Sequence, residues 1–367
     1  MGNRTSALPL PVKFAVTFML VATAIRIMRE RRRMEFDRKT VLISGASRGL
    51  GLELARAFAQ EGADLVLLAR DHAKLTQAAK ELERHGVNVL TFECDISQRP
   101  QVRDVIAAVI AKVGQIDVLI NNAGTIQVGP VETMDVCDYE SAFGVHFWGP
   151  LYLMEEIVPH MKAFRQGRIV NIASIGGKIA VPHLLPYVAS KFALVGLSEG
   201  MRVELLKDGI YVTTVCPGLM RTGSHLRAFF KGQHKKEYAL FAIANASPLL
   251  SAGSARAAQE ILEACRYGKA EIIITAQARL LRFVNGLFPA LVADTLGLLN
   301  RLLPRSREGT GNHSKEGWEI GSALAPSILT RPADRAAARN NEFSTTGRTA
   351  SLSSVDHGAA DFFSNGR

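Results

Sequence analysis

The sequence predicts an α/β fold, a doubly wound parallel sheet of seven strands in one large domain. Three observations carry this. Short, near-continuous apolar runs alternate with helix-patterned segments from Lys39 onward, and strands apolar on both faces belong to a sheet covered on both sides. A glycine cluster, Gly45 to Gly51, lies between the first such run and the first helix. Polar motifs containing Gly, Asn or Pro recur at the ends of later runs, and open parallel sheets bind ligands beyond the carboxyl ends of their strands.

Thr40–Ser44 is the first strand and runs into the glycine cluster. Leu50–Glu61 follows as a helix, with Leu50, Leu54, Ala57 and Phe58 on one face. Asp64–Leu68 is the second strand, and Asp71 supplies an N-cap for a polar helix over Asp71–His85. Asn88–Phe92 and Gln101–Val113 are the third strand and its helix. Asp117–Ile120 is the fourth strand, followed by a long helical stretch over Asp135–Phe164. Arg168–Ala173, the helix Tyr187–Lys207, the strand Ile210–Val215 and a last strand at Glu271–Thr275 complete the alternation.

Composition narrows the function. The 367 residues are 47% hydrophobic, 21% charged and 7% aromatic, which excludes a wholly disordered chain, a collagen and a coiled coil. Cys94, Cys137, Cys216 and Cys265 form no C-x-x-C, which argues against a zinc module, a dithiol site or a disulfide scaffold and fits a reducing compartment. Of the +10 net charge, residues 1–40 hold +6 and residues 305–367 hold +1. The middle of the chain is close to neutral, so nucleic acid is not an expected partner.

The basic excess follows an apolar run. Phe14–Ile25 carries no charge, and extended back to Ala7 the run is 19 residues interrupted only by Lys13. A membrane span needs roughly 20 apolar residues, so the length is borderline. Arg26, Arg29, Arg31, Arg32 and Arg33 come next and place the C-terminal side of the run on the cytoplasmic face. Three other readings stand beside an anchor: cleavage after Ala22-Thr23-Ala24, myristoylation at Gly2, or a helix packed on the protein's own surface. A second apolar stretch, Ala278–Leu303, is interrupted by Arg282, Asn285, Asp294, Asn300 and Arg301 and bent at Pro289, which suits an amphipathic helix pair on a membrane or ordinary packing. The expected divisions are an apolar and basic anchor segment over 1–37, the sheet domain over 38–277, an apolar helical extension over 278–304 and a disordered tail over 305–367.

The chemistry-bearing motifs start with Ser44-Gly45-Ala46-Ser47-Arg48-Gly49-Leu50-Gly51. Glycines let the backbone turn and approach a pyrophosphate at a helix N-terminus. The spacing departs from G-x-G-x-x-G, and alone it is a weak signal. Asn121-Asn122-Ala123-Gly124 ends the fourth strand, and Ser174 ends the fifth. Tyr187 opens the next helix 13 residues later, with Lys191 four residues on and therefore on the same face. Pro217-Gly218 ends the sixth strand, with Thr222 beyond it.

Together these motifs resemble the short-chain dehydrogenase/reductase family in its single-domain Rossmann branch, over about residues 38–275. The resemblance implies hydride transfer between a nicotinamide and a carbonyl or secondary alcohol. Tyr187 is the implied acid/base, Ser174 polarises the substrate oxygen, and Lys191 binds the nicotinamide ribose and favours the phenolate. Gly45, Ser47, Arg48, Gly49, Leu50, Gly51, Asn121, Ala123, Pro217, Gly218 and Thr222 line the cofactor by the same resemblance, with Asp95 and Ile96 at its adenine. Arg70, at the end of the second strand, and Arg48 suit a ribose 2′-phosphate, hence NADP(H), although Asp71 lies next to Arg70. No metal is implied. One departure stands out: the family's helix asparagine is replaced by His146. That histidine either holds the same proton-relay water or relays the proton itself, or is a neutral, satisfied helix residue with the relay lost or rerouted, or lies one position out of register.

The expected function is an NADP(H)-dependent oxidoreductase held at a membrane face. The segment Met220–Leu250 is where the family keeps its substrate lid, and it contains Leu226, Phe229, Phe230, Tyr238, Leu240 and Phe241, which suggests a hydrophobic, lipid-like substrate over a small polar carbonyl. Two rivals are a non-catalytic NADPH-binding scaffold and a nucleotide-sugar epimerase or dehydratase. A homodimer or homotetramer is implied by the resemblance alone.

Overall fold

In the computed structural model, the structure describes residues 18–19, 23–24, 26–247, 251–306, 313–320 and 330–343. Seven parallel strands form the main sheet: β1 (Thr40–Ser44), β2 (Asp64–Ala69), β3 (Val89–Glu93), β4 (Val118–Asn121), β5 (Gly167–Ile172), β6 (Ile210–Pro217) and β7 (Glu271–Ile274). Their order is β3-β2-β1-β4-β5-β6-β7, so the winding reverses between β1 and β4. A crevice opens at such a switch point, beyond the carboxyl ends of both strands.

The helices are α1 (Gly49–Gln60), α2 (His72–Leu82), α3 (Arg99–Val113), α4 (Val136–Phe143), α5 (Gly149–Ala163), α6 (Leu185–Leu205), α7 (His234–Ala246) and α8 (Ser254–Arg266). The two-residue period of the strands divides the core. Val41, Ile43, Leu65, Leu67, Val118 and Ile120 face α1 and α8 through Leu54, Phe58, Ile261 and Leu262. Leu42, Val66, Leu68, Leu119 and Ile169 face α3 and α5 through Val102, Ile106, Leu153 and Ile157. Apolar residues are needed on both faces of the strands, which is why the strands read as near-continuous apolar runs.

The expected long helix over Asp135–Phe164 is divided. A capping box between Asp135 and Asp138 starts α4, and a π-helical turn over Gly144–Trp148 separates it from α5. Pro150, at the start of α5, has no N–H to give the carbonyl of residue 146, so the tighter turn loses a bond there. The wide turn directs His146 into the core.

Beyond the sheet, Leu219–Arg221 pairs with Ser251–Gly253. Phe229–Phe230 lies between Gln127–Val128 and Lys315–Glu316. The apolar extension forms α9 (Ala276–Leu287) and α10 (Pro289–Asn300), with the bend at Pro289 as expected. Two expectations need correction. Residues 313–320 and 330–343 of the tail are ordered, and the latter contain a helix α11 (Arg331–Arg339) whose Ala333 and Ala337 are fully buried. Met34 and Phe36 of the segment expected to be an anchor belong to the core, with Phe36 edge-on to Phe58 at 4.8 Å. Most of the apolar run over Phe14–Ile25, with the cleavage and myristoylation motifs, lies outside the described residues or in isolated positions among them. Among the described residues no helix is long and apolar enough to cross a membrane.

Candidate active site

Ser174 caps the turn after β5, where its Oγ accepts from the Gly176 amide at 3.0 Å. Tyr187 sits in the first turn of α6 and meets Ser174 across Gly176, where a Cβ would lie 3.4 Å from both Ser174 Oγ and the Tyr187 ring. Lys191 is one helical turn on and buried, with Nζ donating to the Ile172 carbonyl at 2.7 Å and lying 5.7 Å from the Tyr187 ring centroid. Burial pulls the Lys191 ammonium down to about 7. Burial also pushes the Tyr187 phenol above its ordinary value, with the Ser174 side chain opposing.

A buried polar ladder fixes the height of α6. Asn121 and Asn171 are register partners on β4 and β5. Asn121 Nδ2 donates to Asn171 Oδ1 at 2.8 Å, and Asn171 Nδ2 donates to Ser198 Oγ on α6 at 3.0 Å. Thr214 of β6 donates to the same Ser198 oxygen at 2.7 Å. Two helical turns separate Ser198 from Lys191, so the ladder positions both catalytic candidates on α6.

His146 is fully buried, and both ring nitrogens are engaged. Nε2 accepts from the Thr125 amide at 3.1 Å, which leaves the proton on Nδ1, 2.7 Å from Ser190 Oγ. Ser190 in turn donates to the Tyr187 carbonyl at 2.9 Å. Burial, and then the Lys191 charge, hold the imidazole well below its usual range, so it is neutral. The ring stands edge-on to Tyr187 with centroids 5.4 Å apart. Of the readings open for His146, the geometry matches the neutral, satisfied one, and the ring supports the start of α6.

A sequence profile described as short chain dehydrogenase matches residues 39–229, just over half of the chain and all of the elements above from β1 to β6. The chain belongs to the short-chain dehydrogenase family. As a family member it is an oxidoreductase that uses a nicotinamide nucleotide on a CH–OH/C=O pair and acts on a small molecule. It is 31% identical over 292 residues to dehydrogenase/reductase SDR family member 7B of Danio rerio, covering 78% of this chain and 91% of that protein. It is 32% identical to 3-ketodihydrosphingosine reductase of Mus musculus, covering 55% of this chain and 62% of that one. In structure it resembles the L-sorbose reductase of Gluconobacter frateurii complexed with NADPH and L-sorbose, with TM-score 0.59 and 27% identity over 66% of this chain and 97% of the other.

The glycine loop between β1 and α1 is built for close approach. Gly45 has φ +66°, and a Cβ there would lie 2.7 Å from the Ala123 Cα. A Cβ on Gly51 would strike the Gly45 carbonyl. Asn122, which sequence reasoning passed over, braces the loop: its Nδ2 donates to the Ser44 and Gly45 carbonyls, both at 3.1 Å. This cradle fits a dinucleotide pyrophosphate at the α1 N-terminus. Arg48 is the N-cap residue of α1, Arg70 is exposed at the end of β2, and Asp71 caps α2 by accepting from the Lys74 amide. Asp95 accepts from Ser97 after β3, and Ile96 packs against Gly149. Pro217, Gly218 and Thr222 follow one another at the end of β6, where Thr222 accepts from the Ser224 amide. The side chain of Asn121 points into the buried ladder, and that of Leu50 into the core, so neither faces the crevice.

Nothing local in the sequence marks what lies against this loop. Residues 340–342, after α11, reach Ser47, Arg48 and Gly49. Lys74, from α2, donates to the carbonyls of Asn341 and Glu342, and Arg227, from the lid, to that of Glu342.

Proposed function

We propose that this short-chain dehydrogenase is an NADP(H)-dependent reductase of a hydrophobic ketone, or dehydrogenase of the matching secondary alcohol, working at a membrane face. The single observation that carries the chemistry is the convergence of Ser174, Tyr187 and the buried Lys191: a Cβ on Gly176 would lie 3.4 Å from both Ser174 Oγ and the Tyr187 ring, and Lys191 Nζ is 5.7 Å from that ring's centroid. The cofactor supplies or accepts the hydride. Tyr187 Oη gives a proton to the substrate oxygen in reduction and takes it back in oxidation. Ser174 Oγ donates to that same oxygen and polarises it. The Lys191 ammonium stabilises the phenolate left on Tyr187, offsetting the burial that otherwise raises its pKa.

The basic side chains around the loop favour a 2′-phosphate. Arg48 and Arg70 would hold it, with Lys74 and Arg227 close to Arg48. The apolar character of the lid supports a lipid-like substrate: Val128, Phe230, Tyr238, Ala242 and Ile320 form a cluster beside the crevice, with Ile126, Leu184 and Phe241 against it. The named substrate of the mouse relative, 3-ketodihydrosphingosine, is a lipid ketone and agrees with that reading. L-sorbose, in the structural relative, is the polar contrast.

The test is turnover of NADPH and, separately, NADH on ketones graded by chain length. Tyr187→Phe is expected to lower kcat by about 10²–10⁴ with little change in NADPH binding. Rates rising with chain length support the hydrophobic substrate, and rates highest on short polyols exclude it.

A further inference from the structure

The C-terminal segment lies on the dinucleotide loop. The Gly49 amide, first in α1, donates to the Asn340 carbonyl at 2.9 Å. Asn341 Nδ2 donates to the Ser47 carbonyl at 3.0 Å. Glu342 follows, 4% exposed, with its carboxylate against the loop: a Cβ on Gly49 would lie 2.8 Å from Glu342 Oε1. Three cations surround it. Arg48 Nε is 3.4 Å from Glu342 Oε2, an ion pair in which that oxygen has no hydrogen bond among the described residues. Lys74 Nζ donates to the Asn341 carbonyl at 2.8 Å and Arg227 Nε to the Glu342 carbonyl at 3.2 Å.

The segment is seated by its own contacts. Asn340 Nδ2 donates to the Thr222 carbonyl and to Ser254 Oγ, and Arg56 donates to the Arg339 carbonyl at 2.9 Å. Ala337 is fully buried against Gly223, where a Cβ would come within 2.6 Å of the Ala337 Cα. Asp334 meets the buried His225 at 3.3 Å.

We propose that residues 340–342 are an internal competitor of the cofactor, with the Glu342 carboxylate on Arg48 standing where the 2′-phosphate of an NADP-type nucleotide would be held by Arg48 and Arg70, beside Lys74 and Arg227. The proposal rests on the NADP(H) reading above and deepens it. The α1 amide that a pyrophosphate would use is given to Asn340. One cationic pocket does not accept a carboxylate and a phosphate together, because two buried anions side by side repel. Cofactor binding therefore requires the segment to leave, and the full chain binds NADPH more weakly than its loop alone dictates.

The experiment uses the full chain and calorimetric binding of NADPH and NADH, which needs no substrate. Glu342→Gln removes the charge, and Ala337→Arg forces α11 off Gly223 without touching the cationic pocket. Both variants are expected to tighten NADPH binding about tenfold or more, with a smaller gain for NADH. In the wild-type chain, saturating NADPH is expected to speed amide exchange over 331–343. Unchanged or weaker NADPH binding in both variants, or exchange protection that persists with NADPH bound, overturns the competitor while leaving the cofactor reading intact. A chain that binds neither nucleotide, with or without the substitutions, overturns the cofactor reading itself and the competitor with it.

Discussion

His146 illustrates how a titratable residue is disarmed by its surroundings. Its two nitrogens are satisfied by the Thr125 amide and Ser190, burial keeps it neutral, and Ser190 links the ring to the Tyr187 backbone. The consequence is a pH-dependent stability. The unfolded chain takes up a proton on His146 near pH 6.5, whereas the folded chain does not. Stability therefore falls as pH drops below about 6.5, with a limiting slope of about 1.4 kcal/mol per pH unit from this group. Denaturant midpoints between pH 5 and 7.5 measure it. His146→Asn, which carries no titrating group, is expected to flatten that slope. An unchanged slope would place the pH dependence elsewhere.

At the scale of elements, the polar ladder across β4, β5 and β6 holds α6 over the sheet, and it explains why polar residues interrupt otherwise apolar strands. Asn171→Leu strands the Asn121 amide and loosens Ser198, at a cost of about 1–3 kcal/mol in folding stability. Urea denaturation reads the loss. A cost near zero would mean that the ladder positions nothing. The seven strands were legible in the sequence because a doubly covered sheet demands near-continuous apolar runs, and the shared helix face of Tyr187 and Lys191 because an i, i+4 spacing is local. The ladder was not legible, because Asn171, Thr214 and Ser198 acquire partners only through strand register. Nor was the break at Gly144–Trp148, where the effect of Pro150 on a carbonyl four residues back is one of several local outcomes.

Across the whole molecule, legibility fails where contacts join distant stretches of chain. Glu342 meets Lys74 and Arg48 from the far end of the sequence, in a Ser- and Ala-rich tail whose composition reads as disordered. The apolar extension is the reverse case: its composition marked it, and α9 and α10 keep the apolar side chains outside. Leu280, Phe283, Leu287, Leu291 and Leu298 are each more than half exposed, with Arg279, Arg282, Arg301 and Arg305 along the same hairpin. Apolar side chains rimmed by arginine match an anionic lipid surface, which offers hydrocarbon below a layer of negative charge. Each large side chain moved out of water contributes about 1.5–3 kcal/mol. The protein is therefore expected to sediment with vesicles containing anionic lipid, and less so at high salt. Replacing Phe283, Leu287, Leu291 and Leu298 by serine should leave it in the supernatant. Exposed side chains support little of the fold, so NADPH turnover on a short soluble ketone should survive these changes. Wild-type protein that ignores vesicles but forms a dimer, with the serine variant monomeric, would assign the hairpin to a second copy of the chain.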